Sequence, residues 1–203
     1  MPENFAKSIS MQKYKDMPVE YTNRRKEKYY LKKVPTKTGK IQYCPVTNVQ
    51  KINPDDLSEV IPPGYEFYED PKEARVYFRK IPVYNITDEE VDIIDSVMKK
   101  HKTVSDYIID KSVNDINVYI SSMIGFDDEI VPGFKESLYR YRSYENVLKF
   151  GKAGKTYKVQ RFCYRSSVDD WIILEISNDL RCLAEKYCYH IDKDSLYDSG
   201  FGW

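Results

Sequence analysis

The chain has 203 residues, 41% of them apolar, and its 32 basic and 32 acidic side chains leave no formal net charge. It is long enough to bury a real core as one large domain or two small ones, and no run approaches the roughly 18 consecutive apolar residues of a membrane-spanning helix. The opening MPENFAKSISMQKYKDM lacks the apolar stretch of a signal peptide, and Cys44, Cys163, Cys182 and Cys188 are too few and too irregular for a disulfide framework, so reduced thiols and a cytoplasmic address are expected.

Residues 1–27 are polar and carry no sustained period, which predicts an exposed basic arm. KYYLKKV (28–34), PTKTGK and IQYC (41–44) read as strand, turn and strand. Pro54-Asp55-Asp56 opens a short helical turn that Pro62-Pro63-Gly64 stops. YEFYE (65–69) and RVYFRKI (75–81) alternate aromatic and polar residues about the turn DPKEA, which predicts a β-hairpin with one buried face. The prolines of 81–85 are the best boundary between an N-terminal β-rich lobe, 28–82, and a C-terminal lobe, 83–203, although the two would equally make one domain.

Thr87 with Glu90 three residues later is a capping box, so a helix is predicted from there to about Lys100. Its apolar stripe is Val91, Ile94, Val97 and Met98. YIID (107–110) and INVYISSM (116–123) are strand candidates. Two long strands, 137–150 and 156–164, meet at GKAGK. WIILEIS (171–177) reads as a buried strand from its continuous apolar run. Asn178 is placed to cap a last helix that carries Leu180, Leu183, Ala184 and Tyr187 on one face. Hairpins with two capped helices predict an α+β fold built on a mostly antiparallel sheet.

The zero total hides a sorting of charge. Residues 1–52 hold 12 basic and 4 acidic side chains, and residues 53–135 hold 9 and 18. Either the basic arm and the acidic middle compensate each other, within the fold or between subunits, or the basic segments form a field for a polyanion. The densest basic segment is 140–165, with Glu145 its only acid. Arg140, Arg142, Lys149, Lys152, Lys155, Lys158, Arg161 and Arg165 alternate there with aromatics that include Tyr157 and Tyr164. Cations neutralise phosphates and aromatic faces stack on bases, so these ten residues are the predicted single-strand or RNA surface, assisted by Arg24, Arg25, Lys26 and Lys28. The same pattern also describes an amphipathic hairpin with one solvated face.

Other motifs carry less. Gly151-Lys-Ala-Gly154-Lys155-Thr156 ends like a Walker loop, but Lys149 stands where the first glycine belongs and a strand pattern follows in place of a helix. Asp55, Glu66, Asp70, Asp169 and Asp170 suggest a metal-dependent phosphodiesterase as the alternative function, yet no Glu-x-Lys falls on the right strand. Cys182 and Cys188 are six apart, about 240° around a helix, too divergent for a zinc site with His190. A nucleophilic relay has few members to draw on: Cys163 with His190, or Ser166 or Ser167 with either histidine.

The segments Pro63-Gly64-Tyr65-Glu66-Phe67-Tyr68-Glu69, Arg75 to Lys80, Ser167-Val168-Asp169-Asp170-Trp171 and Tyr189 to Ser195 resemble uncharacterised bacterial proteins sharing a PxGYExYE hairpin and an SVDDW segment. The resemblance implies a bacterial intracellular origin and brings no activity or cofactor. The expectation is therefore a cytoplasmic binding protein without catalytic activity, metal or cofactor. It would act by protein–protein interaction or self-association, with RNA or single-stranded DNA as a further partner.

Overall fold

Period-two segments and tight turns dominate the chain, and in the computed structural model the described residues fold into three antiparallel sheets with two α-helices, an α+β architecture. The structure describes residues 17–122, 142–165 and 168–198; within the last two stretches, nothing is described of the side chains of 164, 165, 168 and 169. Among the described residues no helix is long and apolar enough to cross a membrane.

The first sheet joins β1 (Glu20–Thr22), β2 (Lys28–Pro35) and β3 (Ile41–Val46). The second is the hairpin of β4 (Tyr65–Glu69) and β5 (Val76–Lys80). Their rings pack together: Tyr21 stacks on Phe67 at 5.3 Å, and Phe78 meets both Tyr65 at 5.5 Å and Tyr43 at 5.9 Å. The exposed arm expected at 1–27 is not seen over its described part, because Glu20–Thr22 pairs with Lys28–Tyr30. Arg24 donates to Glu69 at 3.0 Å and to the Asp70 carbonyl at 3.0 Å. That is one place where the basic N-terminal segment and the acidic middle compensate each other.

The third sheet carries β6 (Tyr107–Lys111), β7 (Asp115–Ser121), β8 (Tyr144–Ala153), β9 (Thr156–Arg165) and β10 (Val168–Ser177), in the order β10-β9-β8-β7-β6. Each strand pairs with its sequence neighbour, and the described connections, 112–114 between β6 and β7 and 154–155 between β8 and β9, are tight. The β8–β9 turn is Gly154-Lys155, with Gly154 at φ +63°, the left-handed value that a two-residue II′ hairpin requires at its first position. No helix follows it, so the Walker-like string is a hairpin turn. Residues 137–141 of the expected long strand lie outside the described residues. The strand read at 171–177 begins earlier: Asp169 and Asp170 belong to β10, where they pair with Tyr164 and Cys163.

Helix α1 (Asp88–Met98) begins with the predicted capping box, both halves of which form. Helix α2 (Leu180–Cys188) is capped by Asp179, one residue later than expected; its side chain accepts from the Cys182 amide. A carboxylate also suits the positive end of a helix better than the neutral Asn178 amide. Both helices cover one face of the large sheet. Ile94 and Met98 of α1, and Leu183 and Tyr187 of α2, close over Ile116, Val118, Leu148, Phe150 and Val159. Each such side chain contributes about 1.5–3 kcal/mol by leaving water. Truncating the fully buried Phe150 to Ala would cost about 3–5 kcal/mol.

Two β-bulges alter the pleat. Val118 pairs with Leu148 and Tyr119 with Asn146, leaving Val147 extra; Ile173 pairs with Gln160 and Glu175 with Val159, leaving Leu174 extra. Both extra residues pack against the helix-side core. The reading of 171–177 as buried is overturned: Ile173 is 53% and Ile176 61% exposed. β10 is an edge strand, and among the described residues helices cover only one of its faces.

Candidate nucleic-acid interface

Side chains alternate across a strand, so the register divides the predicted basic and aromatic residues between two faces. Phe150 and Val159 point to the helices. Their cross-strand neighbours therefore place Lys152, Tyr157 and Arg161 on the helix side, and Lys149, Lys158 and Phe162 on the other. Trp171 pairs with Phe162 and shares that second face, as do Ile173 and Ile176.

On the helix side the chemistry is closed. The Glu90 carboxylate of the α1 capping box takes the Lys152 ammonium at 2.7 Å, the Tyr157 hydroxyl and the Thr87 amide. Burial alone would raise the Glu90 carboxyl, but these hydrogen bonds outweigh it and hold the group below its ordinary value. Burial and the same carboxylate push the Tyr157 hydroxyl up to about 12. Lys152 also donates to the Asn85 carbonyl at 2.9 Å. Arg161 is buried, with its guanidinium 5.4 Å from the Tyr197 ring. Arg142 is paired with Asp106 and sits 17% exposed.

These placements correct four of the predicted contacts. Lys152, Tyr157, Arg161 and Arg142 serve the fold, because a carboxylate, a carbonyl or an aromatic ring of the protein already meets each of them. Among the assisting residues, Arg24 is held by Glu69 and Lys28 by Glu20 at 2.8 Å. Arg140 lies outside the described residues, and so do the side chains of Tyr164 and Arg165.

The other face is covered at one end and open at the other. Over β6 and β7, Tyr68 of the β4–β5 hairpin donates to Asp110 at 3.3 Å, and the Arg79 guanidinium lies 3.5 Å from the Tyr68 ring centre. Burial raises the Asp110 carboxyl above its ordinary value, although Tyr68 and Arg79 pull the other way. Asn146 donates to Asn117, and Asn117 in turn to Ser112. Over β8 to β10 the face is exposed at Ile173 and Ile176 of the edge strand, while Gln160 between Lys149 and Ile173 is buried. The Lys149 ammonium stands 4.2 Å from the Trp171 ring centre, and Phe162 meets the same ring edge-on at 5.7 Å. Lys158 runs flat across Gly151: a Cβ there would come within 2.8 Å of both the Lys158 Cε and an Asp115 carboxylate oxygen. The glycine thus keeps a shallow floor beneath a cation. Lys155 is exposed at the hairpin tip.

Trp171 was missed as a site residue because it stood outside the basic segment in sequence. Its signal was its register: ten residues span each of β9 and β10, so the strand after a basic-aromatic hairpin arm must lie beside it.

The remaining motifs do not assemble into a centre. Glu66 is paired with Arg79 at 3.0 Å, Asp70 accepts from the Glu73 amide, and Asp170 accepts from the Trp171 amide at 2.7 Å. Among the described residues no group of three His, Cys, Asp or Glu side chains is placed to hold a metal ion. Cys188 is buried and Cys182 exposed on α2, as their spacing requires. His190 Nδ1 lies 2.8 Å from Ser195 Oγ, a partner the sequence did not single out, and the contact closes the turn that follows α2.

Comparison of the chain with protein-family models, with curated proteins and with solved structures finds no match.

Proposed function

We propose that the protein is a non-catalytic binding module whose open sheet face takes a single strand of RNA or DNA. The observation that carries this reading is Trp171, partly exposed on the face away from the helices, with the Lys149 ammonium at its ring; Lys158 lies farther along the same face, over Gly151. An indole on a sheet offers every base a stacking surface, Lys149 at its ring meets an adjacent phosphate, and Lys158 farther along the face meets one several nucleotides on. Phe162 props the indole edge-on, so the ring is held at a fixed tilt. The Lys149–Trp171 contact is worth only about 0.5–1 kcal/mol at such a site, so a phosphate competes for the cation at little cost.

The test is binding of labelled oligouridine and oligothymidine to the full chain across a salt series, with light scattering for its mass. The chain has two tryptophans, Trp171 and Trp203. Strand binding should quench indole fluorescence, and Trp171→Phe should remove that quenching. Affinity should fall with added salt and collapse in the Lys149→Glu, Lys158→Glu double variant. Absence of binding in low salt overturns the reading. A dimeric mass that Ile173→Asp and Ile176→Asp reduce to one chain would assign the face to self-association instead.

A further inference from the structure

Far from that face, the C-terminal ends of α1 and α2 leave a cavity of about 490 Å³ between them. This lies within the range of pockets that enclose small molecules. Val97 and Cys188 give it an apolar wall, while Lys100, His101, Lys102 and Lys193 bring cationic and donor groups.

The charge at this place is the first argument. Lysines near helix C-termini ordinarily offset the two helix dipoles, each equivalent to about half a negative charge. Three lysines exceed that demand, and Glu185 is the only acid lining the cavity. With the acid and both dipoles counted, about one positive charge is left over. The last carbonyls are also largely occupied already: Val97 receives the Lys100 amide at 3.1 Å, Met98 the His101 amide at 2.9 Å and Cys188 the Ile191 amide at 3.1 Å. Among the described residues none of Lys100, Lys102 and Lys193 has an ion-pair partner. The Cys188 thiol adds no negative charge, since burial pushes it up to about 12.

His101 supplies the second argument. Its Nδ1 accepts the backbone amides of Val104 at 3.0 Å and Thr103 at 3.2 Å. That role fixes the neutral ring's proton on Nε2, and Nε2 is buried with no partner. A buried N–H without an acceptor is unfavourable, and an oxygen brought by a ligand would recover the lost hydrogen bond.

We propose that this cavity binds a small organic anion, an apolar body ending in a carboxylate or phosphate. Lys100 and Lys102 neutralise the head, the apolar part lies against Val97 and Tyr189, and a small rotation of the His101 ring brings its shielded Nε2–H to one oxygen. This site does not depend on the nucleic-acid reading.

The experiment titrates the full chain with phenyl phosphate, benzoate and benzyl alcohol, following thermal shift and the ring nitrogens of His101 by NMR. Lys100 and Lys102 are exposed, so the Lys100→Ser, Lys102→Ser variant should fold as the parent does. At least one aryl anion should raise the melting temperature and move the Nε2 resonance. The double variant should weaken that anion about tenfold, whereas Lys149→Glu with Lys158→Glu should leave it unchanged. Whichever anion acts at lower concentration identifies the head group. Benzyl alcohol binding as well as the anions, an unmoved Nε2 resonance, or an unaltered affinity in the Lys100, Lys102 variant would each overturn the proposal.

Discussion

Lys149 and Lys152 stand three residues apart on one strand, and each lies against an aromatic ring, yet only one of them is shut. Lys152 faces the helices, 5.9 Å from the Tyr157 ring centre, where the Glu90 carboxylate takes both its ammonium and the Tyr157 hydroxyl. Lys149 faces away, 4.2 Å from the Trp171 ring centre, and among the described residues no carboxylate closes that pair. The two pairs are alike in composition and differ in the third group. A cation beside an aromatic ring is a fastening when an acid completes it and a docking point when none does.

The sharpest way to break this contrast is to remove the acid. Glu90→Ala strands a half-buried cation and a phenol, and it also dissolves the capping box. It should cost about 3 kcal/mol in urea denaturation while leaving strand affinity unchanged. Trp171→Ala should do the reverse: affinity for oligouridine drops by about 1–3 kcal/mol, and stability moves by less than about 1 kcal/mol. Equal effects on stability would make the open pair structural after all.

Smaller effects sharpen the comparison further. Tyr157→Phe loses one hydrogen bond to Glu90 and should cost about 1 kcal/mol, again with no change in binding. Acid provides a matching test. The Glu90 carboxyl is lowered in the folded chain from its ordinary 4.5, so its stabilisation is full above that value and is lost as pH falls through the lowered one. Glu90→Gln should flatten that part of the acid limb in a pH series of denaturation curves. Finally, Lys149→Glu with Lys158→Glu should reduce the slope of log affinity against log salt by about 1.4, two single-strand phosphate contacts' worth, whereas Lys152→Ala should leave the slope alone.

Most strands and the first helix cap were legible because they depend on local rules: period-two alternation in 65–69 and 156–164, and Thr87 with Glu90 at the head of α1. The N-terminal part of β1 was not, since three residues of strand have no period of their own and are ordered by pairing with β2 and by Arg24 reaching Glu69. The basic segment was visible as composition, but not its division into two faces. That division depends on which of Phe150 and Lys149 the helices cover, a tertiary choice. Trp171 enters the site only through its register with Phe162, a pairing between residues nine positions apart in sequence that neither segment reveals alone.

The extra residue at Leu174 has a consequence for parity. Before it, odd-numbered positions of β10, Trp171 and Ile173, look away from the helices; after it, even-numbered Ile176 does. Were the strand ironed flat with Leu174 kept, Ile176 would turn inward and Glu175 outward. The carboxylate would then lose Lys186 and the Tyr187 hydroxyl, which it holds at 2.8 Å. Excising Leu174 alone preserves the parity of everything downstream. A single surplus residue thus decides whether an isoleucine or a glutamate stands on the face that carries Trp171, and with it the sign of the charge that face presents opposite Lys158.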